Sequence, residues 1–212
     1  MIRFITFEGG DGSGKSTQVK LLEQHLTSLG MPCVATREPG GTGLGKLIRK
    51  ALLEVGKQAV APSTELFLYL ADRAQHIEEV IAPALEQGKI VLCDRHTDST
   101  LAYQGYGRGI DLQLLRRLNE MISRGIKPDL TFLFDCPVET GLLRTARRRS
   151  QATAAVEDRF EREKVGFHER VRQGFLEMAR SEPERFYVIR ASRPMEEIFE
   201  EIKKVVEEKL AA

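Results

Sequence analysis

Apolar residues along the chain fall into two alternating kinds of run. The first kind is short and apolar almost throughout: residues 2–7, 90–93, 130–134 and 186–189, with a weaker run at 33–36. Runs without alternation fit strands buried on both faces, as in a parallel sheet. The second kind repeats every three or four residues. Residues 15–29 carry Val19, Leu22 and Leu26 on one face, and residues 195–210 carry Ile198, Ile202, Val205 and Val206. Residues 65–86 carry Leu66, Leu70, Ile77 and Ile81, with a kink or an end expected near Pro83. Residues 112–123, 138–148 and 159–180 complete the helical set, Pro137 suiting the first turn of the second. The Glu- and Lys-rich positions of the last helix read as a solvated face. Strand–helix alternation predicts a three-layer α/β fold, an approximately five-stranded parallel sheet flanked by helices.

The sharpest local signal follows the first strand. Gly9, Gly10, Asp11, Gly12, Ser13, Gly14, Lys15 and Ser16 match G-x-x-x-x-G-K-[ST] at every fixed position. They lie between a predicted strand and a predicted helix, the context a phosphate loop requires. Glycines let backbone N–H groups approach phosphate oxygens without Cβ clashes. The helix start adds its positive dipole end. Lys15 is placed for the β- and γ-phosphates and the Ser16 hydroxyl for Mg2+. The motif fixes nucleoside triphosphate binding and leaves the acceptor open. Asp94 and Arg95 end the third strand at the same sheet edge, where ligands of open α/β sheets bind. Asp94 suits an outer position on Mg2+ and Arg95 a phosphate, while His96 reads as a packing or hydrogen-bonding neighbour.

Composition narrows the class. The 212 residues suit one domain, residues 1–212. A content of 42% hydrophobic and 30% charged residues excludes wholesale disorder and a collagen-like chain. With 32 basic and 31 acidic side chains there is no basic surplus of the kind that coats nucleic acid. Cys33, Cys93 and Cys136 are few and widely spaced; Cys93 and Cys136 lie in apolar runs that read as strands, which points to buried thiols and a reducing cytoplasm. No apolar stretch reaches the roughly 18 residues of a membrane span, and the start shows no signal-peptide pattern.

Several further motifs carry a family resemblance. They are Phe7-Glu8-Gly9 before the loop, Thr36-Arg37-Glu38-Pro39-Gly40-Gly41-Thr42, Ile48-Arg49-Lys50, Ala71-Asp72-Arg73, Asp94-Arg95-His96, Ala102-Tyr103-Gln104-Gly105 and Asp158-Arg159-Phe160-Glu161. The sequence resembles the thymidylate kinases from residue 2 to beyond residue 200. The resemblance implies ATP as donor, dTMP as acceptor, Mg2+, a homodimer with a helical interface, and no nucleic-acid or membrane partner. Gly9 to Ser16, Thr17 and Arg144 then fall to ATP, with Arg144 and the turn at Ala191-Ser192-Arg193 near the adenine. Glu38 falls to dTMP, and Arg49 and Arg95 to its phosphate. Arg73 would meet the thymine carbonyl edge, and Tyr69, where a Phe is usual, would stack on the ring. Ser99, Thr100 and Gln104 would line the base pocket, with Ser99 or Thr100 as helix caps the alternative. Tyr103 would crowd the sugar C2′, and Asp11 would approach the 3′-hydroxyl, directly or indirectly.

The same resemblance implies a mobile lid, approximately residues 144–159, with the small, polar stretch 150–156 as its tip. Family members differ in where their catalytic arginine lies. Here the phosphate-loop position is Gly12, so the charge falls to the basic run of Arg144, Arg147, Arg148 and Arg149. Arg148 is the first candidate, with Arg147 and Arg149 as alternatives that helix spacing does not separate. A nucleic-acid patch or a nucleotide-dependent switch would use the same run differently. The near-neutral charge and the missing N-K-x-D element count against both.

Overall fold

A computed structural model describes residues 2–53, 60–151 and 159–211. Among them, five strands form one parallel sheet: β1 (Phe4–Gly9), β2 (Cys33–Arg37), β3 (Ile90–Asp94), β4 (Leu130–Asp135) and β5 (Phe186–Arg190), in the spatial order β2-β3-β1-β4-β5. The order reverses at β1, so its carboxyl end opens between β3 and β4. That is the switch point where such sheets bind ligands.

Side-chain alternation along the strands builds the layers. Ile5, Phe7, Leu92, Phe132 and Phe134 face one side, against Val19, Leu22 and Leu26 of α1 (Lys15–Ser28) and Ile198, Ile202 and Val206 of α9 (Met195–Ala211). Phe4, Val91 and Cys93 face the other side, against Ile77 and Ile81. Leu133 joins that side with α3 (Pro62–His76) and α8 (Val165–Ser181) through Leu66, Leu70, Phe167 and Phe175. The uninterrupted apolar runs thus mean what they suggested, strands buried on both faces.

Several boundaries differ from the sequence reading. β1 runs on through Glu8 and Gly9, which pair with Leu133 and Phe134, and Cys136 lies just past β4 rather than within it. The helix expected over 65–86 starts at Pro62 and is broken by a π-helical turn, Ile77–Ile81, before α4 (Ala82–Glu86). Pro83 supplies no N–H for an ordinary turn there, which is a recognised cause of such breaks. The segment at 159–180 splits into a 3-10 turn, Arg159–Arg162, and α8. Helix α7 (Val138–Gln151) runs three residues longer than expected. Two helical stretches escaped the periodicity: α2 (Gly43–Leu53), and α5 (Thr97–Thr100) running into a π-helical segment, Leu101–Gly107. Two glycines opening α2, and Gly105 and Gly107 in the second stretch, weakened the signal. The remaining helix, α6 (Leu112–Ile122), starts at Asp111, whose carboxylate accepts from Leu114 N.

Candidate active site

The phosphate loop joins β1 to α1. Gly14 takes the N-cap position in the left-handed region, φ 98°, where residues with a Cβ are disfavoured. No side chain caps α1, which leaves its first N–H groups facing the loop. Gly12 also has positive φ, and a Cβ there would stand 2.2 Å from the Gly141 carbonyl oxygen. The loop therefore lies backbone to backbone on the first turn of α7, with no room for a side chain at residue 12. Lys15 Nζ donates to the carbonyls of Gly9 (3.0 Å) and Gly10 (2.7 Å) and to Ser13 Oγ (3.2 Å). Burial, followed by the charge of Arg95, lowers its pKa to about 8. Ser16 Oγ donates to Asp94 Oδ2, which joins the loop to the end of β3.

Among the cavities that touch this loop, two carry the residues expected to bind. The first, about 200 Å3, is bounded by Gly12, Ser13, Gly14 and Thr17 on one side and Arg144, Ala191 and Arg193 on the other. Arg144 Nη1 donates to the Ala191 carbonyl at 3.0 Å, so the two segments assigned to adenine do meet. Arg147 and Arg148 lie exposed farther along α7. The side chain of Arg149, residues 152–158 of the expected lid and Asp158 lie outside the described residues.

The second cavity, about 70 Å3, lies at the carboxyl ends of β1, β2 and β3. All ten residues expected at the acceptor line it: Asp11, Glu38, Arg49, Tyr69, Arg73, Arg95, Ser99, Thr100, Tyr103 and Gln104. Arg95 is central. With φ 72°, an unusual value for a side-chain-bearing residue, it aims its guanidinium inward. Nη1 donates to the Gly9 carbonyl (2.9 Å) and Ser99 Oγ (3.2 Å); Nη2 donates to Asp11 Oδ1 (2.6 Å) and Tyr103 Oη (3.1 Å). Burial would push the Asp11 carboxyl up, but Arg95 and Lys15 together hold it below its ordinary value. Beneath lies Glu8, fully buried, accepting from Ser99 Oγ at 2.6 Å and His96 N at 2.7 Å. Burial, with Asp98 adding to it, raises its pKa to about 8.

Arg73 is 1% exposed. Its Nε donates to Glu38 (2.8 Å), Nη1 to Thr100 (2.9 Å) and Asn119 (2.7 Å), and Nη2 to the His96 carbonyl (3.0 Å). Four of five N–H donors are thereby used. Glu38 also accepts from His76 and His96; burial opposes its charge, but Arg73 and His96 hold it well below the usual carboxylate range. Arg49 Nη1 donates to the Pro39 carbonyl at 2.9 Å. The Tyr69 ring sits 6.4 Å from Phe160, and the Tyr103 ring meets Phe160 edge-on at 5.5 Å. Ser99 and Thr100 lie inside α5 and bond side chains across the cavity, so the helix-cap reading is corrected.

Sequence reasoning passed over Glu65 and Asn119. Glu65, completely buried, accepts from Gln104 at 2.8 Å, and Asn119 binds Arg73. Nothing in their local sequence marks them, because an acid in a first turn and an amide on an amphipathic helix are ordinary.

A phosphate loop at the switch point, with a second polar cavity sharing Asp11, defines a P-loop nucleotide kinase. The family model described as thymidylate kinase matches residues 7–202. A thymidylate kinase of Desulfovibrio desulfuricans is 52% identical over 205 residues, 96% of this chain and 94% of that protein. One from Geobacter sulfurreducens is 56% identical over 186 residues, 88% of this chain and 87% of that protein. The crystal structure of thymidylate kinase from Ehrlichia chaffeensis superposes with a TM-score of 0.76 at 37% identity, covering 96% and 98% of the two chains. The chain belongs to the thymidylate kinase family.

With its pKa at about 8, Lys15 is largely neutral at about pH 9. A polyphosphate beside it raises that value, so nucleotide binding takes up protons at about pH 9 and hardly any at about pH 7. Calorimetric titration in buffers of different ionisation enthalpy measures the uptake; equal uptake at both pH values contradicts it.

Proposed function

We propose that the protein transfers the γ-phosphoryl group of ATP to dTMP, giving ADP and dTDP toward dTTP. The observation that carries this reading is the cavity gathering all ten expected acceptor residues beside the phosphate loop. In this reading Gly9 to Thr17 hold the triphosphate and Arg144 lies against the adenine. Arg49 and Arg95 hold the acceptor phosphate, and Tyr69 stacks on the base. Tyr103 blocks a ribose 2′-hydroxyl, and Asp11 orients the sugar. Ser16 and Asp94 present hard oxygen donors of the type Mg2+ takes, Asp94 through water. When bound, that ion neutralises charge on the donor phosphates.

Transfer is in line and forms no covalent intermediate with the protein. The acceptor needs no dedicated base, because a phosphate monoester with a second pKa of about 6 is largely dianionic at neutral pH. The protein aligns two mutually repelling anions and offsets the charge of the transferred group. Lys15 and Arg95 do this from fixed backbone positions, and Arg148 from the lid. Free thiols at Cys33, Cys93 and Cys136 suit a cytoplasmic location. No described helix is long and apolar enough to cross a membrane.

The outward stripe of α3, Thr64, Phe67, Ala71 and Ala74, is exposed and largely apolar, and Leu47 of α2 and Met121 of α6 are exposed nearby in the same helical layer. This layer supplies the interface of the proposed homodimer, since contiguous exposed apolar patches mark association sites.

Three measurements test the reading. Coupled-assay ADP release across dTMP, dUMP, dCMP, dGMP, AMP and thymidine is expected to show strong preference for dTMP, with little ADP formed without an acceptor. Preference for another acceptor, or brisk acceptor-independent hydrolysis, refutes it. Arg148→Ala is expected to lower kcat by about 10^3-fold or more while KM for dTMP changes little; near-normal turnover removes Arg148 from the chemistry. Sedimentation equilibrium should give a dimer that Phe67→Asp weakens, and a monomeric wild type refutes the dimer.

A further inference from the structure

Glu65 is 0% exposed and lies in the first turn of α3, facing the wall of the acceptor cavity. A carboxylate in that position requires partners, and it has them from three side chains. Oε1 accepts from Gln104 Nε2 at 2.8 Å and Arg108 Nε at 3.2 Å. Oε2 accepts from Arg108 Nη2 at 3.1 Å and Arg159 Nη2 at 2.7 Å. Each oxygen thus takes two bonds, which fills the acceptor capacity of the group.

The consequence falls on Gln104, a cavity-lining residue with a two-ended amide. A carboxylate held by two guanidinium groups offers only acceptors. The amide must therefore give Glu65 its NH2 end, and its carbonyl oxygen is the end left for a ligand. The opposite orientation would set that oxygen against the carboxylate with no proton between them. In the lining of the same cavity Arg73 keeps one unused N–H, its other four being held by Glu38, Thr100, Asn119 and His96. Between them these two side chains offer the cavity one donor, from Arg73, and one acceptor, from Gln104. Thymine matches that pair with a carbonyl oxygen beside an N–H. Cytosine reverses both, with an amino group beside an unprotonated ring nitrogen, and leaves both protein groups unpaired.

We propose that Glu65 is a positioning residue that fixes which end of the Gln104 amide faces the acceptor base, and so favours thymine over cytosine. This rests on the dTMP kinase reading above. Sites that pair every polar edge reject a mismatched base far more strongly than sites that only fit its shape.

The test compares kcat/KM for dTMP and dCMP in the wild type, Glu65→Gln, Glu65→Asp, Gln104→Leu and the double variant Glu65→Gln/Gln104→Leu, with melting curves to establish folding. Glu65→Gln lets the neighbouring amide turn, so the dTMP/dCMP ratio is expected to fall at least tenfold. Glu65→Asp keeps an acceptor-only group and keeps most of the ratio. Gln104→Leu lowers the ratio as Glu65→Gln does, and the double variant falls no further. A ratio within twofold of wild type in folded Glu65→Gln overturns the inference, as does a further tenfold fall in the double variant. Gln104→Leu leaves the Glu65 carboxylate paired with both arginines, so it keeps the inference open to refutation if Glu65→Gln does not fold: an unchanged ratio there overturns it. A wild type without preference for dTMP over dCMP overturns the dTMP reading and this inference with it.

Discussion

The guanidinium of Arg95 bonds to the Gly9 carbonyl, the Asp11 carboxylate, and the hydroxyls of Ser99 and Tyr103. One side chain thereby ties the donor loop after β1 to the acceptor wall after β3. Both reacting partners are polyanions, and two such anions come together only where fixed positive charge is already aimed at them. A buried guanidinium needs its own partners, and those partners define much of the acceptor cavity. The positive φ of Arg95 belongs to the same requirement, since it directs the side chain inward from the strand end.

A second layer of buried acids holds the basic groups in place. Glu8 lies under Ser99 and the His96 amide, Glu38 gathers Arg73, His76 and His96, and Glu65 gathers Gln104, Arg108 and Arg159. Burying this much charge is a poor route to stability, because desolvation offsets most of the attraction. Its effect is geometric: each donor is left with few alternative partners and one orientation. The same economy explains why Arg73 has one N–H unused and why the Gln104 amide has one end free.

The loop itself shows how packing limits chemistry. Gly12 and the Gly141 carbonyl approach so closely that residue 12 cannot carry a side chain. An arginine at that loop position is therefore excluded, and α7, whose first turn makes the contact, carries the basic run. The cavity beside Gly12–Gly14 is bounded on its far side by Arg144 and the turn after β5, 177 residues beyond Gly14 along the chain at Ala191.

Much of this was legible in the chain. The five apolar runs and the phosphate loop in its strand–helix context come from local pattern and motif, because strand burial, glycine torsions and short spacings are local properties; the ten residues that line the second cavity came with the family resemblance. The π-helical segment carrying Tyr103 and Gln104 was not legible, since Gly105 and Gly107 obscure the helical period that tertiary contacts restore. Nor were Glu65 and Asn119, whose importance comes entirely from what is packed against them. The sequence by itself determined the fold class and the phosphate-loop motif, and through its family resemblance it pointed to the residues that line the second cavity. Only the tertiary structure decided their orientations, which N–H of Arg73 is left over and which end of the Gln104 amide Glu65 holds. Hydrogen-bond direction depends on partners brought together from distant parts of the chain, and no local pattern records it.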